Sequence, residues 1–269
     1  MKTTNRLLQC CVEGIGLWSP QLANFEALRT VLAGSTPEPP PPRPRPAATT
    51  LPANEGRRAP ESVLLAVEVA GQAVAMSGRT ATTLASVFAS SQGDQAITDY
   101  MCATLAQIPT ELSPTRFHNS VHNAAAGYWT IATECRAPST AVCARHASFG
   151  AGLLEAVGQV LAEQRPVLLV CSDIRGSGPL LEATGCTQSF GCALVLAPQV
   201  STTTLAQLQL TLTAAHPATS LPQPLSSWRD ANPSAHALPL LALLARGHGH
   251  CLLDAAATLG LQIDLESLA

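Results

Sequence analysis

Residues 113–170 read SPTRFHNSVHNAAAGYWTIATECRAPSTAVCARHASFGAGLLEAVGQVLAEQRPVLLV, and they decide the fold class. Apolar and small residues recur with helical spacing over 119–133 and 148–162, which predicts a helix in each segment. Between these helices, Thr140 to Cys143 is a short β-prone run, and Val167 to Cys171 is a continuous apolar run typical of a strand buried on both faces. Strands that alternate with helices predict a layered α/β fold.

The same alternation extends on both sides of this stretch. Apolar periodicity predicts four further helices, over 22–32, 61–76, 94–107 and 238–245, the last of them stopped by Gly247. It also predicts strands over 191–197 and 208–213, and a first strand in LLQCCVEGIGLWSP that ends in a glycine turn at Gly14 and Gly16. Residues 35–52 are rich in proline, which fixes φ and removes a hydrogen-bond donor, so we expect an extended surface loop there.

Composition narrows the class of protein. Apolar residues make up 46% of the 269 residues and charged residues only 12%, against a usual charged share of about 25%, so we expect one well-buried domain over 1–269. A net charge of −3 gives no basic surface for phosphates, which excludes nucleic-acid partners.

No apolar run approaches the ~20 residues of a membrane span. The opening MKTTNRLLQCCVEG lacks a cleavage site, and the nine cysteines lie mostly in apolar segments, so we expect a cytoplasmic protein with reduced thiols.

The 113–170 stretch resembles the nucleophile-bearing half of the β-ketoacyl synthases. In that family an Asn-x-x-x-Gly helix leads to Gly-Pro-Ser, a strand, the nucleophilic cysteine on a sharp turn, and an Ala-rich helix followed by a strand. Asn123 and Gly127 match the helix motif, and Ala137-Pro138-Ser139 matches Gly-Pro-Ser with one departure. Gly14 to Pro20 is similar to the family's first strand and turn. The resemblance spans 8–200 and implies a thiolase-like layered α/β fold, with a shortened second half over 201–269.

The resemblance also implies that a catalytic group is missing. In the family's register, His146 stands where the nucleophilic cysteine belongs. Ketosynthases further need two histidines from their second half. His216, His236, His248 and His250 lie there, but the GHGH run at 247–250 resembles neither family histidine motif. We therefore expect no independent activity and no cofactor. The alternative is a stand-alone enzyme that transfers or hydrolyses acyl groups with Cys143 or His146 as nucleophile.

Within the family, the FHNSVHNAAAGYWTIAT run and the SF-x-x-GLLEA helix are most similar to chain-length factors of aryl-polyene-type clusters. Such a subunit pairs with a full-length ketosynthase through the strand before the nucleophile, lines the partner's acyl tunnel, and meets acyl carrier protein through the complex. A second alternative is a partner that only supports the ketosynthase structurally. The resemblance places the tunnel gate and interface at twelve residues: Ile97, Tyr100, Met101, Arg116, Phe117, His118, Asn119, His122, Asn123, Trp129, Thr140 and Val142.

Two side-chain patterns admit a different interpretation. His118 and His122 are four residues apart on the predicted helix and could ligate a metal, but no third ligand accompanies them, so we predict hydrogen-bonded or packed imidazoles and no metal site. Cys143 could be a reactive thiol, although a place inside an apolar strand favours an inert core residue.

Overall fold

The computed structural model describes residues 8–35, 45–215 and 217–266. The strands of this part are β1 (Leu8–Trp18), β2 (Ala85–Ala89), β3 (Ser139–Val142), β4 (Val167–Asp173), β5 (Phe190–Ala197), β6 (Ala206–Ala214), β7 (Gly249–Ala256) and β8 (Leu259–Glu266). Its α-helices are α1 (Phe25–Leu32), α2 (Ala53–Arg58), α3 (Glu61–Ser77), α4 (Gln95–Gln107), α5 (Pro114–His118), α6 (Ala124–Ala132), α7 (Ser148–Glu163), α8 (Pro179–Thr184), α9 (Leu225–Asp230) and α10 (Leu238–Arg246).

The eight strands form a single mixed sheet in the order β3-β2-β4-β5-β1-β6-β8-β7. Strands β3, β2 and β4 are parallel neighbours, and every other neighbouring pair is antiparallel. Strand β3 therefore stands at one edge of the sheet and β7 at the other. The strand that precedes the expected nucleophile turn is thus an edge strand.

Helices cover both faces of the sheet, which explains why β4 is a continuous apolar run. On one face, α7 packs on β4, and Val167 and Leu169 share an apolar cluster with residues of α1, α7 and α10. On the other face, α3 packs on β4, and Leu168 and Val170 share a cluster with residues of α3 and α6. All seven residues of β4 are buried. The predicted layered α/β arrangement is confirmed.

The glycines of β1 serve close packing and do not end the strand, so the predicted turn at Gly14 and Gly16 is wrong. Strand β1 runs through both positions to Trp18. A Cβ atom added at Gly14 would lie 2.0 Å from the carbonyl oxygen of Ala73, and one at Gly16 would lie 1.9 Å from that of Val69. Glycine is needed at these positions because the backbone of α3 lies directly on the strand.

A buried ion pair joins β1 to the end of α3. Glu13 is fully buried, and its carboxylate accepts from Nε and Nη2 of Arg79, with Nη2 at 2.8 Å. Ser201 Oγ donates to the same carboxylate at 2.6 Å. Burial acts to raise the pKa of Glu13, but the hydrogen bonds from Arg79 and Ser201 outweigh it and hold the pKa below its usual value.

The predicted helix over 119–133 is wrong in its first third. Ser113 caps a separate short helix, α5, by accepting from the amide of Arg116, and α5 ends at His118. Helix α6 then begins at Ala124, after a turn in which Asn119 is buried and accepts from the Tyr128 hydroxyl at 3.3 Å. The polar side chains of this turn form hydrogen bonds that do not belong to a helix, which favours the interruption between α5 and α6.

Two further regions differ from expectation. The sequence after α10 forms the β7–β8 hairpin, which was not predicted, and the hairpin extends the sheet beyond β6. Residues 36–44 of the proline-rich stretch lie outside the described residues, whereas Ala48 and Leu51 at its end are buried against α3 and are not surface loop. No helix in the described ranges combines the length and the apolar character needed to cross a membrane.

Candidate functional site

The expected nucleophile turn lies between β3 and α7. A short 3-10 turn covers Arg145–Ala147, and α7 begins at Ser148. Arg145 adopts a left-handed conformation with φ of 53°, which is strained for a residue with a side chain. Ser148 stabilises the turn, because its Oγ donates to the carbonyl oxygen of Arg145 at 2.6 Å and accepts from the amide of Ala144 at 2.9 Å. The chain thus keeps a sharp strand–turn–helix element and presents exposed His146 on it.

A second imidazole faces His146. The ring of His236 lies with its centroid 5.4 Å from that of His146, at an interplanar angle of 33°. The two histidines line an open cleft of about 270 Å³, together with Arg229, Asp230 and Asn232 among others. Burial lowers the pKa of His236, and the proximity of His146 and Arg229 lowers it further. The structure therefore places a neutral imidazole beside the turn at pH 7.

Replacing His146 with alanine is expected to raise the pKa of His236 towards its ordinary value. The substitution removes a neighbouring group that disfavours the imidazolium form and opens the cleft to water. An NMR titration of the imidazole signals measures the shift directly. Because the pKa of His236 is lowered in the folded chain, its contribution to stability is present above pH 6.5 and lost as the pH falls. The matched control His250→Ala removes an exposed histidine of β7 and should leave the titration unchanged; an unaltered titration in His146→Ala would contradict the coupling.

Cys143 does not occupy the core position that the sequence predicts. Strand β3 ends at Val142, so Cys143 lies in the turn, and its side chain is exposed. The Sγ atom is 3.3 Å from the carbonyl oxygen of Ser91, to which it donates. The thiol is thus accessible three residues before His146, the predicted nucleophile position.

Behind the turn lies a buried carboxyl group that the sequence reasoning missed. Asp173 is the last residue of β4 and is 1% exposed. It accepts hydrogen bonds from Ser90 and Ser91, in the loop after β2, and from Ser234, beside His236. Burial raises the pKa of Asp173, while these hydrogen bonds act to lower it. The available sequence signal was an acidic residue two positions after the apolar run 167–171, because a charge at the end of a buried strand must find partners.

Among the predicted gate residues on α4 and α5, Tyr100 and Arg116 are in contact. The guanidinium of Arg116 lies 3.9 Å from the centroid of the Tyr100 ring, a cation–π contact. The Tyr100 hydroxyl accepts from the amide of Ser113 at 3.1 Å, so Tyr100 supports the start of α5. Met101 is half-buried, and Phe117 is 58% exposed. Phe117 is the large apolar side chain of this group that is available to a partner.

The remaining predicted residues separate into several environments. His118, Asn119 and Asn123 line an open groove of about 530 Å³ beside α2 and α6. The other five lie in different places. Ile97 is buried on α4 and Trp129 on α6, and Val142 ends β3. His122 Nε2 donates to the carbonyl oxygen of Ser90 at 3.0 Å, and Thr140 accepts from Gln159 at 3.0 Å.

The interpretation of His118 and His122 as neighbours on one helix is wrong. His118 ends α5, and His122 lies in the turn before α6. Across the described ranges, no group of three or more histidine, cysteine, aspartate or glutamate side chains is arranged to hold a metal ion. His122 instead contacts the loop after β2, which joins α6 to the Asp173 region.

The single mixed sheet covered on both faces, with a sharp turn between its parallel edge strand and a long helix, defines an α/β protein of the thiolase-like class. The family profile described as β-ketoacyl synthase, N-terminal domain, matches residues 33–258. The chain therefore belongs to the β-ketoacyl synthase family. The predicted fold, a ketosynthase fold with a truncated second half, is confirmed.

Solved structures support the same fold. One chain from the Xenorhabdus doucetiae complex of the ketosynthase ApeO with its chain length factor ApeC superposes with a TM-score of 0.72 at 23% identity, over 95% of this chain and 99% of that one. A chain from the type II polyketide synthase complex AntDE:AntF gives 0.69 at 11% identity, over 97% and 99%. A β-ketoacyl synthase from Burkholderia phymatum gives 0.58 at 12% identity, over 88% and 70%. Among curated proteins no sequence match was found.

Proposed function

We propose that this chain is a chain-length factor, a non-catalytic subunit that pairs with a full-length ketosynthase and shapes the tunnel for its growing acyl chain. The observation that carries the proposal is the intact strand–turn–helix element with His146 on its turn, where the resemblance predicts the family's cysteine. An acyl-imidazole is too labile to store a chain through condensation. The scaffold is therefore retained without the group that would hold the substrate.

The free edge of the sheet supports a partner role. Strand β3 has a hydrogen-bonded neighbour on one side only among the described strands. The carbonyl oxygen of Pro138 accepts from Ser86 of β2, and that of Val142 accepts from Ser90, directly after β2. The backbone groups of Ser139 and Ala141 therefore point away from β2. An exposed strand edge is a template for pairing with a strand of another chain.

Exposed apolar side chains are concentrated in the part of the chain that precedes β3. Five of the nine large apolar side chains exposed in the described ranges come from the segment between α4 and α6: Leu105, Ile108, Phe117, Val121 and Ile131. Ile131, near the end of α6 and shortly before β3, is 79% exposed. Such concentrated apolar exposure marks an interaction surface. A ketosynthase seated on the β3 edge and on this segment would bury both.

In this arrangement Phe117 and its neighbours on α4 and α5 limit the length of the acyl chain by steric exclusion, because a closely packed cavity responds to a single added methylene. The products follow from the family branch: acyl or polyene chains of the aryl-polyene type, made in the cytoplasm on acyl carrier protein. The carrier protein would meet the complex through the ketosynthase.

Trimming the gate is expected to lengthen the products. Co-expression with a full-length ketosynthase from the same organism, followed by mass spectrometry of carrier-bound products, should give a longer dominant chain for Phe117→Ala. Tyr100→Ala should act in the same direction, because loss of its ring and hydroxyl releases α5. The control Leu212→Ala trims a similarly exposed apolar side chain on β6 and should leave product length unchanged.

The same experiment separates the two alternatives. Acyl turnover by the purified chain without a ketosynthase, lost in Cys143→Ala or His146→Ala, would replace the proposal with a stand-alone enzyme. The exposure of Cys143 is the observation that keeps this alternative testable. If the complex is stable but both gate variants leave product length unchanged, the chain would be only a structural partner of the ketosynthase.

A further inference from the structure

The carboxyl group of Asp173 accepts hydrogen bonds from two separate segments of the chain. From the loop after β2, Ser90 Oγ donates at 2.8 Å, the amide of Ser91 at 3.0 Å and the amide of Gln92 at 2.9 Å. From the other side, Ser234 Oγ donates at 2.6 Å. No ion pair found in the described ranges includes Asp173. Its burial is therefore compensated by directed hydrogen bonds, which fix the geometry of the donors.

The first of these segments sets the position of α4. The loop Ser90–Gly93 leads directly into Asp94, the N-cap of α4, whose side chain accepts from the amide of Ile97 at 2.8 Å. Within the loop, the amide of Gly93 donates to Ser90 Oγ at 2.9 Å, so one serine hydroxyl joins Asp173 to the start of the helix. A shift of this loop would move α4 and the gate residues that it carries.

The second segment sets the position of His236. The Asn232 side chain donates to the backbone carbonyl of Asp173 at 2.8 Å and accepts from the amide of Ser234 at 2.8 Å. The 3-10 turn Pro233–Ala237 that follows holds His236 against His146. On the other side, the Ser91 carbonyl receives the Cys143 thiol. Hydrogen bonds therefore connect both the gate helix and the nucleophile turn to the same residue, Asp173, at the end of β4.

We propose that Asp173 is a positioning residue that fixes the gate helix α4 relative to the turn bearing His146, and that it thereby determines how uniform the products are in length. This inference rests on the proposed chain-length function. A carboxyl group with two acceptor oxygens is required, because an asparagine at this position would turn one oxygen into a donor facing the serine hydroxyls and loop amides. The loop after β2 would then adopt more than one position.

The test compares Asp173→Asn with Glu13→Gln in complexes with the co-expressed ketosynthase. Both residues are buried carboxylates, but they lie near opposite ends of β5. Asp173 pairs with Phe190 at its start, whereas Val12, next to Glu13, pairs with Leu196 near its end. Thermal unfolding of each variant reports stability, and mass spectrometry reports product length. We expect Asp173→Asn to broaden the distribution, with the dominant length reduced roughly five-fold relative to its neighbours. Glu13→Gln should lower stability without broadening.

A milder variant covers the case in which Asp173→Asn does not fold. Ser90→Ala removes one donor to Asp173 and the acceptor for Gly93, and it should broaden the products in the same direction. Unchanged lengths in a folded Asp173→Asn or in Ser90→Ala, while Phe117→Ala still lengthens the products, would overturn this inference alone. If Phe117→Ala also leaves the product lengths unchanged, the chain-length function itself is rejected.

Discussion

Gly16→Ala is expected to prevent the chain from folding. The added Cβ would lie 1.9 Å from the carbonyl oxygen of Val69 and 2.8 Å from its carbonyl carbon, both backbone atoms of α3. A side chain can rotate away from such a contact, but here the helix itself must move off the central strand β1. We expect a loss above about 4 kcal/mol, which is comparable to the whole stability of many domains.

Urea unfolding followed by circular dichroism, together with the soluble yield, measures this effect. Gly158→Ala is the matched control, since Gly158 lies exposed on α7 and an added Cβ would meet no atom within 4 Å. Alanine in the middle of a helix should stabilise the chain by up to about 1 kcal/mol. A Gly16→Ala protein within about 1 kcal/mol of the parent would show that α3 is not seated on β1 as described.

Ala141→Pro should abolish pairing with the ketosynthase while leaving the isolated chain folded. Ala141 lies on β3 with its amide directed away from β2, so proline removes a donor from the outer edge and keeps the ladder to β2. The ring also stands where an approaching strand must lie. We expect affinity to fall by at least about 100-fold, equivalent to about 2.8 kcal/mol.

Binding of the purified chain to the ketosynthase, measured by isothermal calorimetry, tests this expectation. Ala141→Ser keeps the amide, adds little volume and should bind like the parent. A thermal unfolding curve of Ala141→Pro alone must stay close to that of the parent for the result to concern the interface. Full binding by a folded Ala141→Pro chain would show that the ketosynthase does not dock on the β3 edge.

Local patterns in the sequence predicted most of the helices and strands. Helix α3 was predicted over 61–76 and observed over Glu61–Ser77, and α10 ends at Gly247 because that residue adopts the left-handed conformation of a helix cap. The β7–β8 hairpin was missed although it alternates: Cys251 and Leu253 are buried, and so are Leu261 and Ile263. The signal was present, but no helix or strand was predicted from the sequence over 249–266.

The candidate site could be predicted only in part. The order of motifs located the turn at His146 and the helices α4 to α6, because each is a local pattern in the chain. The network around Asp173 was not predictable, since Ser90 and Ser234 are 83 and 61 residues away from it in sequence. Exposure of Cys143 was likewise missed, because it depends on β3 ending one residue earlier than the apolar run suggests.

The sequence by itself determined the layered α/β class and the family, because these depend on periodicity and on the order of residues along the chain. It also predicts, from the family's register, a histidine in place of the nucleophilic cysteine. Only the tertiary structure decided that β3 is an edge strand, that β1 continues past its two glycines, and that His236 faces His146. Each of these depends on which distant segments come together, and buried area and hydrogen bonds between segments fix that outcome only when the whole sheet is assembled.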